Sequence, residues 1–197
     1  MKNCLSQAVF LDRDGVINAP VIRAGKPFAP VSREEFQILP GVGQALQILD
    51  EAGFLLIIVT NQPDVARGLI HREVVEDMHD YLMTAFPLDD IKACYETEES
   101  GSRYYKPHPG MLLDAAKEHG IDLKKSFMVG DRWRDVGSDV TVQHNRDRWR
   151  DVGCGLAAGC FTIFIDRGYV ERLRQIPHAR CGNLQEAVPI ILSHSRE

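Results

Sequence analysis

The sequence has no apolar run approaching the ~18 residues that read as a bilayer-spanning helix, so no membrane segment is expected. It also lacks a basic excess: 23 Lys and Arg stand against 28 Asp and Glu, a formal charge of −5. That balance offers no general attraction to nucleic acid or to an acidic lipid surface. Clustered cysteines are missing too. Cys4, Cys94, Cys154, Cys160 and Cys181 form an odd, scattered set with no C-x-x-C, C-x-C or C-x-H. Disulfide frames and zinc sites need paired or clustered ligands, so buried thiols in a reducing compartment fit better and zinc is not expected. The polar stretch Met1 to Gln7 has no h-region, and a cytoplasmic protein is expected. At 197 residues, one domain with a sizeable core is the natural expectation.

What is there begins with Ala8-Val9-Phe10-Leu11-Asp12-Arg13-Asp14-Gly15-Val16-Ile17-Asn18. Four apolar residues, too few for a helix, end in two carboxylates and a glycine. This is the pattern of a buried strand emerging at its C-terminal end, where open α/β sheets place their ligands. Along extended backbone, i and i+2 share a side, so Asp12 and Asp14 can face one site. Two such carboxylates repel unless a cation or proton lies between them, and Gly15 permits a sharp turn. The D-x-D triplet alone fits a solvated acidic turn better than a site; the full D-x-D-G-x-x-N string after an apolar strand is much more specific.

Further along, residues 19–39 hold Pro20, Pro27 and Pro30, and read as a flap or rim loop, with Arg23 and Lys26 solvated there. Residues 40–52 carry apolar residues at helical spacing and stop at Gly53. Leu55-Leu56-Ile57-Ile58-Val59 is a second buried strand ending in Thr60-Asn61-Gln62, a hydroxyl and an amide suited to anchoring a phosphoryl oxygen. A helix is expected over about 70–86, with Val74, Val75, Met78, Tyr81, Leu82 and Ala85 inward, then a strand over 91–95. Lys106-Pro107-His108-Pro109-Gly110 fixes a lysine at a loop-to-helix junction, because both prolines restrict the backbone. Strands over 126–131 and 160–166, and a closing helix over 183–192 capped by Asn183, complete an alternating pattern. Alternation of this kind predicts a three-layer α/β/α fold around a parallel sheet of about five strands.

One feature breaks the order. Asp131-Arg132-Trp133-Arg134-Asp135-Val136-Gly137 recurs letter for letter 16 positions on as Asp147-Arg148-Trp149-Arg150-Asp151-Val152-Gly153. The first copy alone follows the apolar Phe127-Met128-Val129. Ahead of the second stands Gln143-His144-Asn145-Arg146, which a central strand would leave unpaired and buried. Asp131 is therefore the expected functional copy, with 138–153 a projecting duplicated insert loop.

Taken together, L-D-R-D-G-V-I-N, V-T-N-Q-P-D-V-A-R-G, K-P-H-P-G-M-L and V-G-D-R-W-R-D resemble the four motifs of haloacid dehalogenase-like phosphohydrolases. Within these, the strings are similar to the heptose-bisphosphate and histidinol-phosphate phosphatases. The resemblance implies a Rossmannoid sheet without a large cap domain. The spacing agrees, since Asp14, Thr60 and Lys106 stand 46 positions apart in turn. It implies Asp12 as nucleophile and Asp14 as acid and base. Asp12, Asp14 and Asp131 would be Mg²⁺ ligands, and Thr60, Asn61, Lys106 and Arg67 substrate-binding residues. Asp135 would orient waters or the loop. Relatives commonly carry a zinc loop of three cysteines and a histidine, and an arginine before the lysine; here Cys94 stands alone and Tyr105 precedes Lys106.

The expected activity is Mg²⁺-dependent hydrolysis of a small phosphorylated metabolite, foremost a sugar bisphosphate such as D-glycero-D-manno-heptose 1,7-bisphosphate, through an aspartyl phosphate. Histidinol phosphate is an alternative substrate. A catalytically impaired binding relative is a further alternative, opposed by the intact motif acids and lysine. A nucleic-acid end phosphatase is another, opposed by the acidic balance and the lack of a basic, aromatic-interleaved patch. No nucleic-acid or membrane partner is expected, and the chain would be a monomer or weak homo-oligomer.

Overall fold

The computed structural model describes residues 5–23, 26–131, 150–168 and 176–195. Strand β1 (Ala8–Leu11) leads to a hairpin of β2 (Val21–Arg23) and β3 (Lys26–Phe28), then α1 (Val42–Glu51) and β4 (Leu55–Asn61). The short α2 (Pro63–Ala66) and α3 (Arg72–Ala85) precede β5 (Asp90–Cys94); α4 (Gly110–His119) precedes β6 (Phe127–Gly130). The chain closes with α5 (Arg150–Ala158), β7 (Phe161–Ile165), β8 (Ala179–Cys181) and α6 (Leu184–His194).

The main sheet runs β5-β4-β1-β6-β7-β8, every pairing parallel. The central strands are apolar up to their C-terminal ends because each alternate side chain meets a different helical layer. Val9 and Leu11 join Leu56, Ile58 and Val129 on one face, against α1, α3 and α6. Ala8 and Phe10 join Ile57, Val59 and Met128 on the other, against Leu112 and Ala115 of α4. Asn183 accepts from the Glu186 N–H and caps α6, as its sequence position suggests.

The three-layer architecture is the expected one, but the sheet has six strands rather than five. The sixth, β8, is a three-residue edge strand hydrogen-bonded to β7. Residues 19–39 are not wholly irregular either: they include the β2–β3 hairpin. Nor is 138–153 a loop to its end: Arg150 to Gly153 form the first turn of α5, and 138–149 lie outside the described residues. Between β1 and β4 the chain adds only that hairpin and α1, and between β4 and β5 only α2 and α3.

Phe127, at the start of β6, packs against residues at the starts of β4 and β7. It is 2 % exposed, and its ring meets Phe54 edge-on at 5.7 Å and Phe161 at 5.7 Å. Phe127→Ala is expected to cost ~3–5 kcal/mol through lost contacts and an unfilled cavity. Urea unfolding would measure it; a loss below ~1 kcal/mol would mean the neighbouring rings close the gap.

Candidate active site

The C-terminal ends of β1, β4 and β6 converge on one point. Asp12 follows β1, and its N–H donates to the Val129 carbonyl of β6 at 2.9 Å. Asp131 follows β6 directly. Two glycines make room for acids. Gly15 has φ 92°, and a Cβ there would lie 1.9 Å from Asp131 Oδ2. At Gly130 a Cβ would lie 2.2 Å from Asp151 Cβ. Neither acid could sit where it does beside a larger residue.

Asp12, Asp131 and Asp151 are all buried, and their carboxylate oxygens lie within 4.8 Å of one another. Lys106, 1 % exposed, meets this group from β4's side. Its ammonium donates to Asp12 Oδ1 and to the Val59 carbonyl, and pairs with Asp151 Oδ1, at 2.7, 2.8 and 2.7 Å. Asn61 holds the Lys106 backbone: its Oδ1 accepts the Lys106 N–H at 3.0 Å and its Nδ2 donates to the Lys106 carbonyl at 3.2 Å. Thr60 Oγ1 accepts from Gln62 Nε2, which also donates to Asp14 Oδ2.

Burial and the neighbouring Asp151 push Asp12 up to about 7, against the opposing pull of Lys106. Burial lowers Lys106, but Asp12 and Asp151 outweigh it and hold the ammonium above its ordinary range. For Asp14, burial is outweighed by the Arg13 guanidinium and by hydrogen bonds from Asn18 and Gln62, so its carboxyl stays below the usual value. Three buried carboxylates, two of them on one ammonium, form a hard, oxygen-only donor set, which suits a small divalent cation such as Mg²⁺. Among the described residues, the other such group is Asp90, Glu118 and His119, in which Asp90 and Glu118 already pair with the Lys92 ammonium and His119 with Asp90. Neither group includes a cysteine.

The structure thus brings Asp12, Asp14, Thr60, Asn61, Lys106 and Asp131 together. It gives Asn61 a different place from the expected one, because its amide is spent on the lysine backbone. Arg67 is paired with Asp64 of α2 at 3.1 Å and is half-exposed. Arg23 pairs with Glu35. Asp135, Asp147 and the Lys26 side chain lie outside the described residues. Sequence reasoning overlooked Asp151, although its copy runs without interruption into the small and apolar residues of α5. It also overlooked Arg13, Asn18, Gln62 and His79.

A family model for haloacid dehalogenase-like hydrolases matches residues 20–138. The chain belongs to this family. It is 36% identical over 141 residues to the D-glycero-β-D-manno-heptose-1,7-bisphosphate 7-phosphatase of Rhodopseudomonas palustris, covering 66% of this chain and 75% of that protein. A D-glycero-D-manno-heptose-1,7-bisphosphate 7-phosphatase of Thermosynechococcus vestitus is 31% identical over 183 residues, covering 84% and 82%. Among solved structures, the D,D-heptose 1,7-bisphosphate phosphatase of B. bronchiseptica, complexed with magnesium and phosphate, matches at TM-score 0.74 and 26% identity. It covers 95% of this chain and 98% of its own.

The duplication makes the geometry testable. Removing 138–153 or 132–147 yields the same polypeptide, G-D-R-W-R-D-V-G-C, with two acids four positions apart. Four steps of chain reach ~13 Å, ample for carboxylates within 4.8 Å of each other. The shortened hydrolase is expected to unfold cooperatively in urea and to keep turnover within a few-fold. In the full chain, Asp151→Asn is expected to lower turnover by at least about 10²-fold and Asp147→Asn to leave it nearly unchanged. Equal losses from both would mean that the second copy serves as a whole.

Proposed function

We propose that this hydrolase removes phosphate from a sugar bisphosphate, with D-glycero-D-manno-heptose 1,7-bisphosphate the foremost candidate, using Mg²⁺. The observation that carries it is the Lys106 ammonium held between Asp12 and Asp151, with Asp131 alongside, at the carboxyl end of the central strands. The names of the relatives supply the substrate class. Asp12, the Asp14 carbonyl and Asp131 would hold the cation, which when bound neutralises charge on the transferring phosphoryl group.

Asp12 attacks phosphorus in line with the ester oxygen and forms an acyl phosphate as the P–O bond to the sugar breaks. Asp14 gives a proton to the departing alkoxide, for which the approaching phosphoryl charge must first offset the Arg13, Asn18 and Gln62 donors that favour its ionised form. Lys106 favours the ionised form of Asp12 and, with the Thr60 hydroxyl, faces the charge on the equatorial oxygens. Asp14 then takes a proton from water, whose oxygen attacks phosphorus, releasing inorganic phosphate and restoring the Asp12 carboxylate. Asn61 acts through Lys106, by fixing its backbone.

Asp12→Asn keeps the side chain's shape and removes its charge, so phosphate release should fall to background with an unchanged urea transition. EDTA should abolish turnover and Mg²⁺ restore it, and metal analysis should find no stoichiometric zinc. A release screen over sugar bisphosphates, histidinol phosphate and nucleotides identifies the ester. Substantial turnover by purified Asp12→Asn would end the covalent route, and preference for a nucleotide would end the sugar assignment.

A further inference from the structure

Asp14 is gripped from behind by a chain of buried side chains that the reaction itself does not name. Arg13 is 0 % exposed, although it stands between two acids at the mouth of the sheet. Its Nε and Nη2 donate to Asp14 Oδ1 at 3.3 and 3.1 Å, and Nη2 also reaches Oδ2 at 3.0 Å. Its other edge, Nη1, meets His79 Nε2 at 3.2 Å. Since guanidinium can only donate, Nε2 must be the accepting nitrogen and the ring proton belongs on Nδ1. That nitrogen faces Glu76 Oε2 at 3.5 Å, while Glu76 Oε1 accepts from the Tyr95 hydroxyl at 2.8 Å. Phe36 covers the guanidinium at 5.5 Å.

We propose that Arg13, seated on His79, is a positioning residue that fixes the direction of the Asp14 carboxyl group, so that its protonated form meets the leaving-group oxygen. This rests on the phosphatase reading above. Arg13, Asn18 and Gln62 together bind both Asp14 oxygens and so fix its side-chain torsions. Asn18 and Gln62 approach as single donors; only Arg13 engages both oxygens with one rigid fork. The fork's own direction is set by His79, because a guanidinium bound along one edge can still pivot. Burial and the facing guanidinium push His79 down to about 4, so the ring remains a neutral acceptor under ordinary conditions. A lysine at position 13 would keep the charge and lose the fork.

The test compares two esters on the Mg²⁺-loaded enzyme: an alkyl sugar phosphate, whose alkoxide needs a proton, and p-nitrophenyl phosphate, whose phenolate leaves without one. Arg13→Lys and His79→Leu are expected to lower kcat on the sugar ester by roughly tenfold to 10²-fold, within what a positioned acid supplies. On p-nitrophenyl phosphate the loss should be a few-fold at most, with KM little changed for either ester. His79→Gln, whose amide oxygen can accept from Nη1, should recover most of the sugar-ester rate. If Arg13→Lys does not fold, the His79 pair decides alone. Equal losses on both esters, or no loss on the sugar ester, would overturn the inference and leave a merely structural ion pair. A wild type inert on both esters would overturn the phosphatase reading, and this inference with it.

Discussion

A buried ammonium among buried carboxylates is the interaction on which the rest depends. Lys106 cannot be desolvated without partners, and Asp12 and Asp151 cannot be buried side by side without a cation between them. Each half of the cluster is therefore tolerable only in the presence of the other. The three elements that carry these residues are thereby held in one register. Even so, Asp12 is pushed up to about 7 with Lys106 already in contact. The cluster stays short of positive charge, which is the condition under which a divalent cation and a phosphoryl group are bound together.

The sheet exists, in functional terms, to bring that cluster to one edge. Its central strands β1 and β6, and β4 as far as Val59, are apolar on both faces, so their polar groups emerge at the strand ends. Parallel pairing sends all the carboxyl ends to the same side, with β1 at the centre and β4 and β6 beside it. Glycines 15 and 130 remove the side chains that would otherwise separate the acids. Asn61 then turns a loop lysine into a fixed one by binding both its N–H and its carbonyl.

Much of this was legible from residue order, because strand-end strings such as Asp12-Arg13-Asp14-Gly15 combine a buried run with an abrupt change to charge. The central strands and α1, α3 and α6 were readable for a similar reason: their apolar spacing is long enough to be unambiguous. β8 and the β2–β3 hairpin were not. Three residues give no periodicity, Ala-Arg-Cys and Lys-Pro-Phe carry no strand signature, and pairing with a neighbour decides such segments. His79 left a trace that went unread. It lies on the apolar stripe of α3 with Val75 and Leu82, and a polar residue at such a position needs a buried partner. That its partner is Arg13, 66 residues earlier, follows only from the tertiary fold.

The duplicated heptad shows how a fold chooses between identical strings. Both copies contain an acid at the first position and another at the fifth. The first position must follow a buried strand, and only Asp131 has Phe127 to Gly130 before it. The fifth must enter a helix that packs on the sheet, and only Asp151 is continuous with α5 through Val152, Gly153 and Cys154, all buried. Gly155 in that helix is held so close that a Cβ would meet Met128 Cβ at 2.7 Å, so α5 cannot slide along the sheet to accept the other copy. The site therefore takes its first acid from one copy and its second from the other. Neither string alone determines its role; the strand before and the helix after do.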